Sequence, residues 1–334
     1  MINKKKMRKF VKAYLKAQFP ELFNPFPAWV HLWVTDRCNE SCSYCYVKNN
    51  TSKNPDTGTV KEWIEHADDL GATVIAFMGG EPTLRDDLAE LVSHINSKNI
   101  ITYLTSNGKL LSYERTAEIA RAGLDVLEIS IDGYDNVEGS NKTLNHDETV
   151  LDILKQVHDE YGLRYKLHQV LTPQTIKETP KLLELAARRN LSISFGLAPE
   201  TFDTVNTTHE LDDLNTAISL IIQKKRTGVP VVNPYSYFSD AINYFSGRVN
   251  WNCDIGRYFI QVATNGMVYK CSKLRDVTNV RFLDADLDYF KNDFLDRKEL
   301  LQQCMPSCYS ACAYTTSHIR QHPLYFFSTL IKLG

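Results

Sequence analysis

At 334 residues, 43% of them hydrophobic and 23% charged, the chain is long enough for one large α/β domain with a smaller appended one. A net charge of −2 gives it no electrostatic reason to bind nucleic acid. Nothing reaches the run of about eighteen apolar residues that a membrane span needs, and the N-terminus lacks the apolar stretch of a signal peptide. The eight cysteines cluster at short spacings, which reads as metal sites in a reducing cytoplasm rather than a disulfide framework.

The first nineteen residues form a unit. Lys4, Lys5, Lys6, Arg8, Lys9, Lys12 and Lys16 interleave with Met7, Phe10, Val11, Tyr14 and Leu15. The apolar positions recur at helical spacing, so one face is greasy and the other strongly basic. Pro20 is expected to end the helix. Two uses fit: the apolar face packs on the main domain, or residues 1–19 make peripheral contact with a membrane surface or a partner.

Val30 to Thr35 reads as a short strand that leads into Cys38, Cys42 and Cys45, spaced C-x3-C-x2-C, with Tyr44 before the last cysteine. An iron–sulfur cluster normally takes four thiolates, so three on one loop leave one iron open to a small molecule. A tetrahedral zinc site would need a fourth ligand, for which His31 is the nearest candidate.

Strand and helix then alternate. Helices are expected at 59–70, 86–97, 112–122, 147–161 and 176–189, and strands at 72–78, 100–105, 126–131, 164–171 and 191–197. With the first strand this makes six β–α units, too few for a closed eight-stranded barrel. The expected fold is α/β, a partial (β/α)6 parallel barrel, with function at the C-terminal ends of its strands. Residues 1–28 are the basic helix and lead-in, 29–200 the barrel, and 201–334 a second domain.

Successive strand ends carry polar, glycine-rich runs. They are Gly79-Gly80-Glu81-Pro82, then Thr105-Ser106-Asn107-Gly108, then Ser130-Ile131-Asp132-Gly133, with Gln169 and Thr172 after the fifth strand. Singly, each is more often a turn than a ligand site. In order, each after its own strand, they are far more specific.

The cysteine loop, the GGEP run and the SIDG run together resemble the radical S-adenosylmethionine (SAM) enzymes of the SPASM/twitch branch, over roughly residues 28 to 200. The resemblance implies a [4Fe–4S] cluster on Cys38, Cys42 and Cys45, with SAM on the fourth iron. One electron from a low-potential donor of flavodoxin or ferredoxin type would cleave SAM to methionine and a 5′-deoxyadenosyl radical. Carried over by position, Tyr44 would lie at the adenine, Gly79, Gly80 and Glu81 at the methionine amino group, and Ser130 and Asp132 at the ribose. Ser106, Asn107 and Gln169 complete the expected cofactor-binding set. The cofactor would bring the reactivity and the protein would position and shield it.

The remaining cysteines follow residue 200. Cys253, Gly266 and Cys271 match the C-x(9–15)-G-x4-C element of the SPASM and twitch domains, and Tyr258 to Tyr269 reads as a β-hairpin around Thr264-Asn265-Gly266. Cys304, Cys308 and Cys312 recur at four-residue steps, on one face if helical. The expectation is one auxiliary [4Fe–4S] cluster on Cys253, Cys271 and two of those three, making 201–334 an auxiliary iron–sulfur domain. A stripe of buried thiols is the plainer alternative.

The substrate is less legible. A peptide or protein maturase, or a small-molecule biosynthetic enzyme, suits the auxiliary cluster. A lipid-modifying enzyme would suit the basic helix and the apolar tail from Pro323 to Leu333. A non-catalytic iron–sulfur electron carrier would leave the strand-end motifs unexplained.

Overall fold

The computed structural model describes residues 2–19, 22–23, 25–45, 47, 53–198, 201, 208–245, 253–270, 280–295, 309–323 and 325. Strands β1 (Trp29–Thr35), β2 (Val74–Gly79), β3 (Ile101–Ser106), β4 (Val126–Ser130), β5 (Arg164–Leu171) and β6 (Ile193–Leu197) pair in parallel in sequence order. Their crossover helices are α2 (Thr57–Asp69), α3 (Leu88–Ser97), α4 (Tyr113–Arg121), α5 (Thr149–Tyr161) and α6 (Thr179–Arg189). The alternation of strand and helix in the sequence is therefore the architecture, with most boundaries moved by a residue or two.

Local chemistry sets those boundaries. Asp56 and Ser112 cap α2 and α4 by accepting backbone N–H bonds at 2.7 and 3.2 Å. Gly162 and Asn190, both left-handed, end α5 and α6. The helix expected from residue 176 begins as a 3₁₀ turn at Thr175–Glu178, and its α-helical part starts at Thr179, with Pro180 in the first turn.

Each strand has two buried faces with different tasks. On β1, Val30, Leu32 and Val34 are fully buried in the layer shared with the helices, together with Ile75, Phe77, Leu104, Leu127, Ile129 and Leu167. The alternate residues, among them His31, Tyr103, Glu128, Lys166 and Ser194, face the concave side and form the lumen.

The segment after residue 200 joins the same sheet. Helices α7 (Thr208–Arg226) and α8 (Tyr235–Phe245) lead to β7 (Phe259–Val262), which pairs in parallel with β1, and to β8 (Val268–Tyr269), antiparallel to β7. The hairpin expected around Thr264-Asn265-Gly266 is present, with Gly266 at φ +80°. The sheet order is β6-β5-β4-β3-β2-β1-β7-β8. Helices α9 (Leu287–Leu295) and α10 (Ala311–Gln321) complete the described elements. Tyr237 and Tyr244 of α8 pack against Tyr309, and Tyr237 also against Tyr314 of α10, so these tyrosines form one buried aromatic cluster. Cys271, Cys304, Cys308 and the tail from residue 326 lie outside the described residues.

Helix α1 (Lys4–Ala17) closes the base of the lumen. Met7 and Phe10 pack with Ile2, Val74, Ile101 and Trp29, at the N-terminal ends of the strands. Lys6 is buried and pairs with Asp125 at 2.5 Å just before β4, and Lys9 pairs with Asp68. A membrane-surface role relies on the greasy face, of which Tyr14 is buried and Met7, Phe10 and Val11 are half-buried, while Leu15 stays 51% exposed. α1 also sits at the end of the sheet opposite the cysteine loop. Among the described residues, no helix is long and apolar enough to cross a membrane.

Lys6→Ala is expected to cost about 3 kcal/mol, because it takes away the buried ammonium paired with the mostly buried Asp125 carboxylate, which keeps the Thr102 N–H. Urea denaturation of the full chain measures this; a midpoint equal to wild type would show that the pair contributes nothing.

Candidate active site

The cysteine loop follows β1 directly, at the C-terminal rim of the sheet. Cys45 N–H bonds to the Cys42 carbonyl at 3.1 Å, a tight turn that carries two of the thiols at its ends. Cys38 and Cys42 are half-buried and Cys45 is exposed, and none is in a disulfide. Burial pushes the Cys38 thiol up, and the charges of Glu81, Cys45 and Cys42 push it further, against a lowering hydrogen bond from Glu40 N–H. A thiol raised in this way needs a cation beside it before it can ionise. Among the described residues, no three His, Cys, Asp or Glu side chains converge on a single metal-ion position. A cubane spreads its thiolates over separate irons, so the donor set suits a cluster.

Successive strand ends each touch this loop. After β2, Gly80 N–H bonds to the Thr35 carbonyl at 2.6 Å and Glu81 N–H to the Arg37 carbonyl at 2.8 Å. A Cβ on Gly80 would fall 2.0 Å from the Arg37 carbonyl oxygen, so only glycine permits the approach. The Glu81 carboxylate is buried and accepts from Thr83 N–H, the Thr83 hydroxyl, the Ser106 hydroxyl and Asn107 N–H, at 2.5 to 3.0 Å. It ties the ends of β2 and β3 together, and both its oxygens are engaged within the chain. From the β3 end, the Asn107 side chain donates to Asn39 at 2.7 Å.

The β4 end makes the most connections. Asp132 is fully buried, and its Oδ2 accepts from the Tyr44 hydroxyl at 2.5 Å and the Ser140 hydroxyl at 2.6 Å, with Lys142 Nζ at 3.3 Å. Its Oδ1 is buried and has no partner among the described residues. Burial and the Asp132 charge push the Tyr44 phenol far up, so it stays protonated and donates. The Lys142 ammonium lies 5.0 Å over the Tyr44 ring. Residues 133–143 form a strap laid across the loop: Ser43 N–H bonds to the Gly139 carbonyl at 2.8 Å, and Cys42 Sγ is 3.6 Å from Ser140 Oγ.

Gln169 requires a correction. Its place near a strand end puts it in the expected cofactor-binding set, but it is fully buried with every group spent. Its amide donates to the Asp132 and Thr175 carbonyls at 3.1 and 2.8 Å and accepts from the Thr179 hydroxyl of α6 at 3.0 Å. It holds the Asp132 backbone from behind. Ser130 ends β4, where Ile131 N–H bonds to the His168 carbonyl at 2.8 Å.

Beneath the rim the lumen holds charges that the motifs do not reveal. Glu128 pairs with Lys166 at 2.6 Å and accepts from the Tyr103 hydroxyl at 2.8 Å. Ser194 lies 3.2 Å from Lys166 Nζ and 2.9 Å from His168 Nδ1. Lys166 and His168 side chains keep about one-fifth of their exposure. Burial holds His168 below the ordinary imidazole value and takes His31 down to about 3, so both are neutral at pH 7. The only signal of this cluster in the sequence is polar residues at alternate positions of the fourth and fifth strands.

Burial opposes the Glu128 charge, but Lys166, His168 and Tyr103 outweigh it and bring the carboxyl down to about 2. A folded value below the unfolded one, about 4.3, contributes stability above pH 4 that is lost as pH falls toward 2. Acid unfolding of Glu128→Gln should therefore be less steep across that window. An identical acid limb in the two proteins would contradict the ion pair.

Of the later cysteines, Cys253 and Cys312 come together around Ile255, Phe259, Ala313 and Trp29, on the lumen side near the base. The Glu128 charge adds to burial in pushing the Cys312 thiol up to about 12. Asp254 joins the two segments, accepting from Arg320 at 2.5 Å while its N–H bonds to Ser317 at 2.8 Å.

Comparison with known proteins gives this rim a context. The family model for the radical SAM superfamily matches residues 33–211. The Fe-coproporphyrin III synthase of Methanosarcina barkeri is 27% identical over 219 residues, 63% of this chain and 53% of that protein. The PqqA peptide cyclase of Bradyrhizobium diazoefficiens is 30% identical over 168 residues, 48% of this chain and 43% of that one. The chain thus spans about half the length of these curated relatives. Among solved structures, Streptococcus suis SuiB bound to S-adenosylmethionine superposes with a TM-score of 0.64 at 17% identity, covering 87% of this chain and 71% of SuiB. anSMEcpe with bound AdoMet and a Kp18Cys peptide gives 0.59 at 14% identity, covering 90% and 98%. At such identities the likeness is one of fold.

Proposed function

The chain belongs to the radical SAM superfamily, and on that premise we propose that it is a peptide-modifying enzyme that takes a hydrogen atom from a substrate held in the lumen. One observation carries the reading. The cysteine loop and the unpartnered Asp132 Oδ1 lie on one rim, linked through Tyr44 and Ser140, above a lumen of neutral and paired titratable groups. When bound, a [4Fe–4S] cluster and SAM supply a one-electron cleavage that yields methionine and a 5′-deoxyadenosyl radical.

The chain's own residues do the rest. Cys38, Cys42 and Cys45 would hold three irons and leave the fourth open. Asp132 Oδ1, buried and lacking a donor, suits a ribose hydroxyl. Gly79 and Gly80 bring backbone against the loop without steric cost, and Glu81 fixes the neighbouring strand ends. α1 seals the base, which keeps water from entering there. Glu128, Lys166 and His168 line the path to the substrate and would hold it by charge and hydrogen bonds.

A peptide substrate is supported by the relatives: PqqA peptide cyclase resembles the chain in sequence, and SuiB and anSMEcpe, which share its fold, are known with bound peptides. The lipid reading loses support because most of the apolar face of α1 packs on the barrel, through Met7, Phe10 and Tyr14. An electron carrier would need neither Asp132 nor the strap. A flavodoxin- or ferredoxin-type protein would deliver the electron in a cytoplasmic setting, and an auxiliary cluster on the later cysteines would serve the substrate side.

Anaerobic reconstitution with iron and sulfide, then SAM and dithionite, should yield 5′-deoxyadenosine, and short peptides encoded beside the gene should change mass. Iron-loaded protein that forms no 5′-deoxyadenosine would sink the radical reading; lipid extracts modified where peptides are not would sink the peptide one. Glu128→Gln removes the charge that orders Lys166 and Tyr103, so it should keep substrate-free SAM cleavage within about twofold and lower coupled product about 100-fold through a misplaced substrate. Equal losses in both would mean that Glu128 supports the site rather than the substrate.

A further inference from the structure

Ser140 lies between two parts of the proposed site, the carboxylate at the end of β4 and the cysteine loop. Its Oγ is 2.6 Å from Asp132 Oδ2 and 3.6 Å from Cys42 Sγ. The position is built rather than incidental. Ser140 is 6% exposed, and its N–H bonds to the Val137 carbonyl at 3.2 Å. Lys142 N–H reaches its hydroxyl at 3.2 Å. Next to it, Gly139 has φ +76°, and a Cβ there would lie 2.6 Å from Ser43 Oγ, so the strap is pressed against the cysteine loop.

A serine hydroxyl has one proton to give. While Cys42 is a thiol it can donate to Ser140, whose own proton goes to Asp132. A cysteine that ligates iron has lost its proton and can only accept. From then on Asp132 and the Cys42 sulfur compete for a single hydroxyl. Asp132 does not depend on Ser140, since Tyr44 and Lys142 also supply its Oδ2, and its Oδ1 still awaits a donor.

We propose that Ser140 is a positioning residue that couples the ribose side of the SAM site to the cluster, by turning its hydroxyl hydrogen bond from Asp132 to the Cys42 sulfur, with the proton staying on the serine oxygen, when Asp132 gains a ligand donor. The proposal rests on the radical SAM reading and goes beyond it. Hydrogen bonds to ligating sulfurs raise a cluster's reduction potential. SAM binding therefore makes reduction easier through this hydroxyl, and by reciprocity the reduced protein binds SAM more tightly.

The test is a redox titration followed by electron paramagnetic resonance on reconstituted wild type, Ser140→Ala and Ser140→Thr, with and without SAM. The expected result is a positive SAM-induced shift in wild type, a clearly smaller one in Ser140→Ala, and recovery in Ser140→Thr, which keeps the hydroxyl. A full shift in Ser140→Ala overturns the proposal. Wild-type protein gives an independent measurement should the alanine variant bind iron poorly. Its Fe–S(Cys) stretching bands should respond to D₂O more strongly with SAM than without, and an unchanged response also overturns the proposal. Failure of the radical reading looks different: wild type would show no [4Fe–4S] signal that responds to SAM.

Discussion

Alanine at any one of Cys38, Cys42 or Cys45 is expected to abolish 5′-deoxyadenosine formation, a loss of at least about 1,000-fold, and to remove about four irons per chain. The size of the effect follows from the geometry. The three thiols lie on one short loop, with Cys42 and Cys45 joined by a 3.1 Å backbone bond, and the loop carries no fourth cysteine to replace a missing one. A cluster that loses a thiolate keeps two protein ligands and is not retained. The fold should survive, because the loop is half-exposed and the core lies in the helix layer. Far-ultraviolet circular dichroism and iron analysis on the same samples separate the two. A Cys42→Ala variant that still cleaves SAM would mean the cluster sits elsewhere.

The second large effect is expected at Cys253 and Cys312. Alanine at either should lower iron from about eight to about four per chain while substrate-free SAM cleavage continues, and product from the substrate should fall below detection. The two cysteines are distant in sequence yet pack around the same Ile255, Phe259 and Trp29, and Asp254 fastens their segments together. Cys312 also lies within reach of the Glu128 charge, which places it on the lumen rather than on an outer surface. Wild-type protein that holds only about four irons, with none lost in either variant, would remove the auxiliary cluster and leave two buried thiols in an apolar pocket.

Much of the fold and of the rim is legible in the amino-acid order. The C-x3-C-x2-C run fixes a short loop by covalent adjacency alone, and the alternation of strand and helix from residue 30 to 198 predicts a parallel sheet with its working end at the loop. The hairpin at Thr264-Asn265-Gly266 is readable because Asn-Gly turns have few alternatives. The helix at Tyr235–Phe245 is not, although Tyr237, Phe238, Ala241 and Tyr244 are buried at helical spacing, because its aromatic density obscures the period. Gln169 misleads because a polar residue near a strand end looks the same from either face of a sheet. Only the register with β4 and the approach of α6 turn it away from the lumen.

The sequence by itself determined the chemistry of the loop, the order of the strand-end motifs and the class of fold, since each is written in spacings of a few residues. Tertiary structure alone decided that β7 lies beside β1, that Met7 and Phe10 of α1 pack at the base, and that Glu128 meets Lys166. It alone decided that Ser140 stands between Asp132 and Cys42. The physical reason is that these contacts join residues far apart in the chain. Their meeting depends on sheet register, on which face each strand turns inward, and on how a strap closes over a loop, and local pattern records none of these.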